Sequence, residues 1–148
     1  MVEDGDVFYC PRFVLMDGDV HNTLFLILSG GTPFTPLFCI KATTKLDRYK
    51  PLTNGCNNSN KHFYKSFFIP SGWNECFIED TCLDLVQLYV ISLNDFLIYR
   101  NNNGLRQLGT MSPSCFDSVL ECLGTQTDDI AEDLMERIIE ARNKIVFY

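Results

Sequence analysis

The sequence predicts a mostly β chain whose helices are confined to its last third. Short apolar segments rich in β-branched and aromatic residues recur near residues 7–12, 24–29, 37–42, 63–69 and 81–91. Clusters of Gly, Pro, Asn and Ser separate them, the punctuation of strands joined by turns. After residue 112 the apolar spacing changes to that of a helix, about 3.6 residues. This order favours a small antiparallel barrel or sandwich over alternating β-α units. At 148 residues, with 46% apolar and 13% aromatic residues, one domain over 1–148 with a substantial core is expected, and disorder is not.

Taken in order, residues 24–28 are continuously apolar, which predicts a strand buried on both faces. Residues 37–42 run into Thr43-Thr44, a strand ending in hydroxyls. Residues 43–61 hold Pro51, Gly55 and Asn57-Asn58-Ser59-Asn60, and read as a long loop. In 81–91, Leu83, Leu85, Gln87, Tyr89 and Ile91 alternate with Cys82, Asp84, Val86, Leu88 and Val90. Neither set is wholly apolar, as in a central strand that reaches both core and edge. Residues 100–104 read as a tight polar turn.

Ser112 is a good helix N-cap, with Pro113 at the first helical position. Phe116, Val119, Leu120 and Leu123 make one stripe over a helix near 112–123, which Gly124 stops. Thr127 caps a second expected helix over 128–143, with Asp128 and Asp129 in its first turn. Ile130, Leu134, Ile138, Ala141 and Ile145 recur along one side of it, with Met135 and Ile139 beside them.

No apolar run approaches the ~20 residues of a membrane helix. The acidic start Met1-Val2-Glu3-Asp4 lacks the basic n-region of a secretory signal, so a cytoplasmic chain is expected. The seven cysteines form no C-x-x-C pair and are odd in number. Cys10, Cys39, Cys82, Cys115 and Cys122 sit in apolar segments, so reduced and mostly buried thiols are expected. Cys56 and Cys76 read as loop-borne and reactive. With His21 and His62 the only histidines, a His-rich zinc site is not expected, and neither a metal nor a cofactor is called for. There is no P-loop, dinucleotide fingerprint or nucleophile elbow.

The net charge is −7, yet its distribution matters more than its sum. Lys41, Lys45, Arg48, Lys50, Lys61 and Lys65 fall between residues 41 and 65, with Asp47 as the sole acid there. Such a segment is either a solvated loop or a face that attracts a phosphate backbone. Trp73, in Pro70-Ser71-Gly72-Trp73-Asn74, stacks a base if exposed and covers a barrel end if buried.

Several of these features fall in a familiar order: Gly5-Asp6 before the first strand, Thr43 at the end of the third, and Asp80-Thr81 followed by Gln87-Leu88. Gly109-Thr110-Met111-Ser112 then leads into a helix. This set resembles the MazF/PemK family of toxin endoribonucleases from bacterial toxin–antitoxin pairs, over roughly residues 3–135. The resemblance implies an SH3-like small antiparallel barrel of the MazF/PemK/CcdB type. It further implies a homodimer, a small acidic antitoxin as partner, and metal-independent cleavage of single-stranded RNA. The family's loop Arg-Pro is absent, since Asp19-Val20-His21-Asn22-Thr23 stands in its place.

Carried over by position, Thr43 matches the hydroxyl that holds the phosphate, with Thr44 the neighbouring register. The Arg slot falls at His21, Asn22 or Thr23. His21 suits acid or base work, because histidine's reference pKa is near ~6.5. Arg12, across the same loop, is the candidate replacement cation. Lys41, Thr44, Lys45, Arg48 and Trp73 complete the expected RNA-binding set. The alternative is a non-catalytic toxin or binding module on the same fold, such as a CcdB-like gyrase poison or a MazF relative that has lost catalysis.

Overall fold

A computed structural model describes residues 2–14, 18–30, 34–59, 64–124 and 136. The strands are β1 (Asp6–Val14), β2 (Val20–Ser29), β3 (Leu37–Thr43), β4 (Gly55–Asn57), β5 (Ser66–Ile69), β6 (Thr81–Asp84), β7 (Tyr89–Ile91) and β8 (Arg106–Thr110). The helices are α1 (Leu93–Asn103) and α2 (Pro113–Gly124). All pairings among the described strands are antiparallel, in the order β4-β5-β6-β3-β2-β1-β8, with β7 beside β3. The mostly β, antiparallel expectation is met. The strands among the described residues number eight, against five apolar segments in the sequence, one of which splits in two. The additions, β4 and β8, are short or polar, and neither carries an apolar alternation to announce it.

The continuously apolar run in β2 is buried on both faces, as expected. Leu26 and Leu28 face a core with Val7, Ile40 and Leu83, closed by Phe116, Val119 and Leu123 of α2. Phe25 and Ile27 face the opposite way, against Phe8, Cys10, Cys39, Tyr89 and Phe96 of α1. Each fully buried side chain of this size stabilises the fold by ~1.5–3 kcal/mol. Alternation along one strand therefore feeds two cores.

The Gly5-Asp6 pair has a structural role. Buried Asp6 accepts the Glu3 N–H at 2.9 Å and the Thr110 hydroxyl at 2.8 Å. Gly5 accepts the Met111 N–H and donates to Ile27 O, both at 2.8 Å. The turn thus ties β1 to both its neighbours. Gly30 admits no side chain, because a Cβ there would lie 2.4 Å from Val2 O.

Several expectations need correction. Residues 81–91 are not one strand. Asp84 accepts the N–H groups of Val86 (2.8 Å) and Gln87 (3.2 Å), and this local turn ends β6 before β7 begins. Residues 100–104 are not a free turn but the end of α1, stopped by Gly104 at φ 73°. The Ser92 hydroxyl caps the other end, accepting the Asp95 N–H at 3.1 Å. Residues 20–23 belong to β2 and are not loop.

Cys56 lies in β4 and is bonded to Cys122 of α2, with Cα atoms 5.5 Å apart. The pair departs from the expected reduced thiols because sheet pairing carries Cys56 under the helix, a juxtaposition across 66 residues that spacing cannot reveal. Cys76 is buried, and burial pushes its thiol upward. The helix expected near 112–123 is α2, with Phe116, Val119 and Leu123 buried and Leu120 partly so. The one expected over 128–143, with Leu134 and Ile138, lies outside the described residues, as does Lys61. No helix among the described residues is long and apolar enough to cross a membrane.

Candidate nucleic-acid interface

The site grows out of the strand register. Phe25 pairs with Lys41 and Ile27 with Cys39, so at a period of two Lys41 and Thr43 follow Cys39 on one face. Thr23 and His21 likewise follow Phe25. One face of the β2–β3 pair therefore passes from a dry aromatic core to a polar strand end. There it opens into a cleft of about 450 Å³ lined by Asp19, His21, Asn22, Thr23, Lys41, Ala42, Thr43, Lys45, Asp47, Arg48, Tyr49 and Gln87. The cleft brings together His21, Lys41, Thr43, Lys45 and Arg48 from the sequence-predicted set.

His21 is half exposed, with Nε2 3.9 Å from the Asp19 carboxylate. Both side chains are largely exposed, so the pair adds little to stability. Thr43 Oγ1 accepts the Lys45 N–H at 3.1 Å, which leaves its own hydroxyl proton to donate. Three cations, Lys41, Lys45 and Arg48, face two acids, Asp19 and Asp47, around this rim. The lining is thus locally positive on a chain of net charge −7.

Arg12 and Thr44 are exposed and do not line the cleft. Arg12 sits at φ 56° in a bulge of β1 and donates its backbone N–H to Asn22 Oδ1 at 3.1 Å. Its main chain touches the cleft only through Asn22, which does line it. Trp73 also stands apart from the cleft. It is 52% exposed but lines a separate concavity of about 350 Å³ with Gly55, Cys56, Phe67, Ser118, Glu121 and Cys122. Phe67 and Cys122 belong to the core under α2, and this concavity shares no lining residue with the cleft. No Lys or Arg lines this second concavity.

Behind the cleft lies a group the sequence did not reveal. The carboxylate of Asp84 is fully buried and accepts the hydroxyls of Tyr49 at 3.1 Å and Tyr64 at 3.0 Å. Tyr49 packs edge-on against Tyr64 with ring centroids 4.9 Å apart, and Arg48 lies 5.8 Å from the Tyr64 centroid. Burial first, then the Asp84 charge and hydrogen bond, push Tyr64 up to about 12 and raise Tyr49 in the same direction. Both phenols therefore remain donors through neutral pH. Neither tyrosine could be found beforehand: Tyr49 lies in a stretch that reads as loop, Tyr64 at the start of one that reads as a strand, and nothing local marks their shared partner. Gln87, matched to the family pattern but given no chemical role, also reaches the cleft.

Chemically, the arrangement offers cations and a hydroxyl donor for phosphate oxygens, and an accessible imidazole beside them. No family model matches the sequence, and no curated protein matches it either.

Proposed function

We propose that the chain is a MazF/PemK-like toxin that cleaves single-stranded RNA without a metal, on an SH3-like barrel. The observation that supports this most is the meeting in one cleft of His21 from β2 with Lys41, Thr43, Lys45 and Arg48 from the stretch 41–48. Metal-independent cleavage needs a proton taken from the 2′-hydroxyl, charge stabilisation on the phosphorane, and a proton given to the leaving 5′ oxygen. His21 serves the proton transfers. Thr43 donates its hydroxyl to a phosphate oxygen, while Lys41, Lys45 and Arg48 neutralise the flanking backbone. Arg12, outside the cleft lining, is the reserve cation. The 2′ oxygen attacks phosphorus as the P–O5′ bond breaks, leaving a 2′,3′-cyclic phosphate and a 5′-hydroxyl.

On this reading the chain works in the cytoplasm as a homodimer, and a small acidic antitoxin covers the basic cleft. The test is incubation of the pure protein with single-stranded RNA in EDTA. Fragments with cyclic phosphate ends are expected, and intact RNA overturns the enzyme reading. A second reading, a non-catalytic binding module on the same fold, draws on the absence of Arg-Pro at residues 19–23. It is favoured if RNA or another partner binds and stays whole.

A further inference from the structure

Between residues 44 and 54, Tyr49 is the one buried side chain; Lys45, Asp47, Arg48 and Lys50 are exposed and Leu46 is half-buried. This segment carries two of the three cations of the cleft, yet it has almost no apolar anchorage. What holds it is polar. Asp84 Oδ2 accepts the Tyr49 and Tyr64 hydroxyls, and Oδ1 accepts the Val86 and Gln87 amides. One carboxylate thus joins the 45–50 segment, Tyr64 and the turn that presents Gln87 to the cleft.

All four donors are neutral. A buried carboxylate without a bonded cation is costly, and an apolar side chain would pack at less expense. Fold stability alone therefore does not account for Asp84. Its geometry does: each oxygen accepts two hydrogen bonds, and two of the donors, Tyr49 and Gln87, line the cleft. Arg48, adjacent to Tyr49 and lying over the Tyr64 ring, inherits its place from this network.

We propose that Asp84 is a positioning residue that fixes Lys45 and Arg48 for contact with a phosphate backbone, a role that rests on the RNA reading of the cleft. It touches no substrate; it acts through Tyr49 and Tyr64. Tyr49 is the main tether, since it lies within the basic segment, and Tyr64 is the lesser one.

The test compares wild type with Tyr49→Phe and Tyr64→Phe, which keep the rings and remove one donor each. The amides of Tyr49 and Lys50 both bond to Leu46 O at 3.0 Å, so their hydrogen exchange reports on the segment. In Tyr49→Phe their exchange is expected to rise about ten-fold, the worth of one buried hydrogen bond, while Leu26 and Ile40 stay protected. Tyr64→Phe is expected to change it less. Binding of a fluorescent single-stranded RNA oligomer across a salt series is the second readout. Release of Arg48 in Tyr49→Phe should flatten the log–log slope by about 0.7, one phosphate contact, which a merely structural hydrogen bond would not do. Should Tyr49→Phe fail to fold, Asp84→Asn carries the same expectations. Unchanged exchange at Tyr49 and Lys50 overturns the tether. Raised exchange with an unchanged salt slope overturns the positioning role. A wild type that binds no RNA overturns the RNA reading, and Asp84 loses its positioning role with it, whatever the exchange shows.

Discussion

Along β2 and β3, the stretch around Ile27 and Cys39 is dry and packed under α1, whereas the stretch around His21, Thr23, Lys41 and Thr43 opens into a polar cleft. The two stretches lie along the same two strands, but the β2–β3 ladder ends at Leu24 and Ala42, and beyond it Thr43 pairs with Cys82 of β6 and His21 with Phe13 of β1. In the dry stretch, edge-on aromatic contacts such as Phe13–Phe25 at 4.7 Å and Phe25–Tyr89 at 5.2 Å hold the face. In the open stretch, hydrogen bonds through Thr43, Asn22 and Asp84 hold it. Rigidity at the cleft is therefore borrowed from the core a few residues away, and the polar groups remain available for chemistry.

That division predicts that activity and stability separate along the strands. The largest effect is expected at His21. Loss of a general acid or base costs ~10²–10⁴ in rate, so His21→Ala should abolish most RNA cleavage in single-turnover assays. Its half-exposed side chain should leave the melting temperature almost unmoved. A variant that cuts at wild-type rate with an unchanged pH profile removes His21 from the chemistry and makes Arg12 the next residue to test.

Phe25→Ala should do the reverse. Phe25 is 2% exposed, and removing a core Phe costs ~3–5 kcal/mol, readable by urea denaturation. Cleavage per folded molecule should persist. If instead both quantities fall together, the two stretches are not separable.

Thr43→Ala is expected to be milder. One neutral hydrogen bond is worth roughly 0.5–1.5 kcal/mol, about ten-fold at the upper end, and the loss should fall on cleavage.

A last effect is alkaline, and it falls on stability alone. Burial pushes Cys10 up to about 12 and Cys82 to about 11 from an ordinary 9.0, and burial with Asp84 pushes Tyr64 to about 12 from 10.0. Each ionises earlier in the unfolded chain than in the folded one. Above about pH 9 the unfolded state then binds fewer protons, so stability falls as pH rises. It is whole below about pH 9 and progressively lost towards about pH 12. Thermal melts from pH 7 to 11 check the sign, and a rise in stability over that range contradicts it.

How much of this could be read from the sequence depends on the range of the cause. The buried strand at 24–28 and the stripe of α2 rest on local periodicity, and both were legible. His21, Lys41, Thr43, Lys45 and Arg48 were legible as candidates because a residue type and a position within the ordered motifs pointed to each. Their convergence was not, since it depends on β2–β3 register. Asp84 looked like a polar interruption in a strand. Its meaning comes from Tyr49 and Tyr64, 35 and 20 residues away. Trp73 was grouped with the cleft on chemistry alone, and chain topology sent it to the α2 face. The Cys56–Cys122 bridge was missed for the same reason. The helix α1 did carry signals, Ser92 three residues before Asp95 and Gly104 at its end, but its weak apolar stripe hid them.

The central claim is that the polar end of β2–β3 is a phosphate-binding surface for single-stranded RNA. The most direct measurement is fluorescence anisotropy of a single-stranded RNA oligomer across a salt series, with wild type and the Lys45→Glu/Arg48→Glu double variant side by side. The account predicts wild-type binding that weakens with a log–log slope of about −0.7 per contacted phosphate. It also predicts loss of binding in the double variant at a nearly unchanged melting temperature. Binding that survives the double reversal, or no binding by the wild type at low salt, would contradict it.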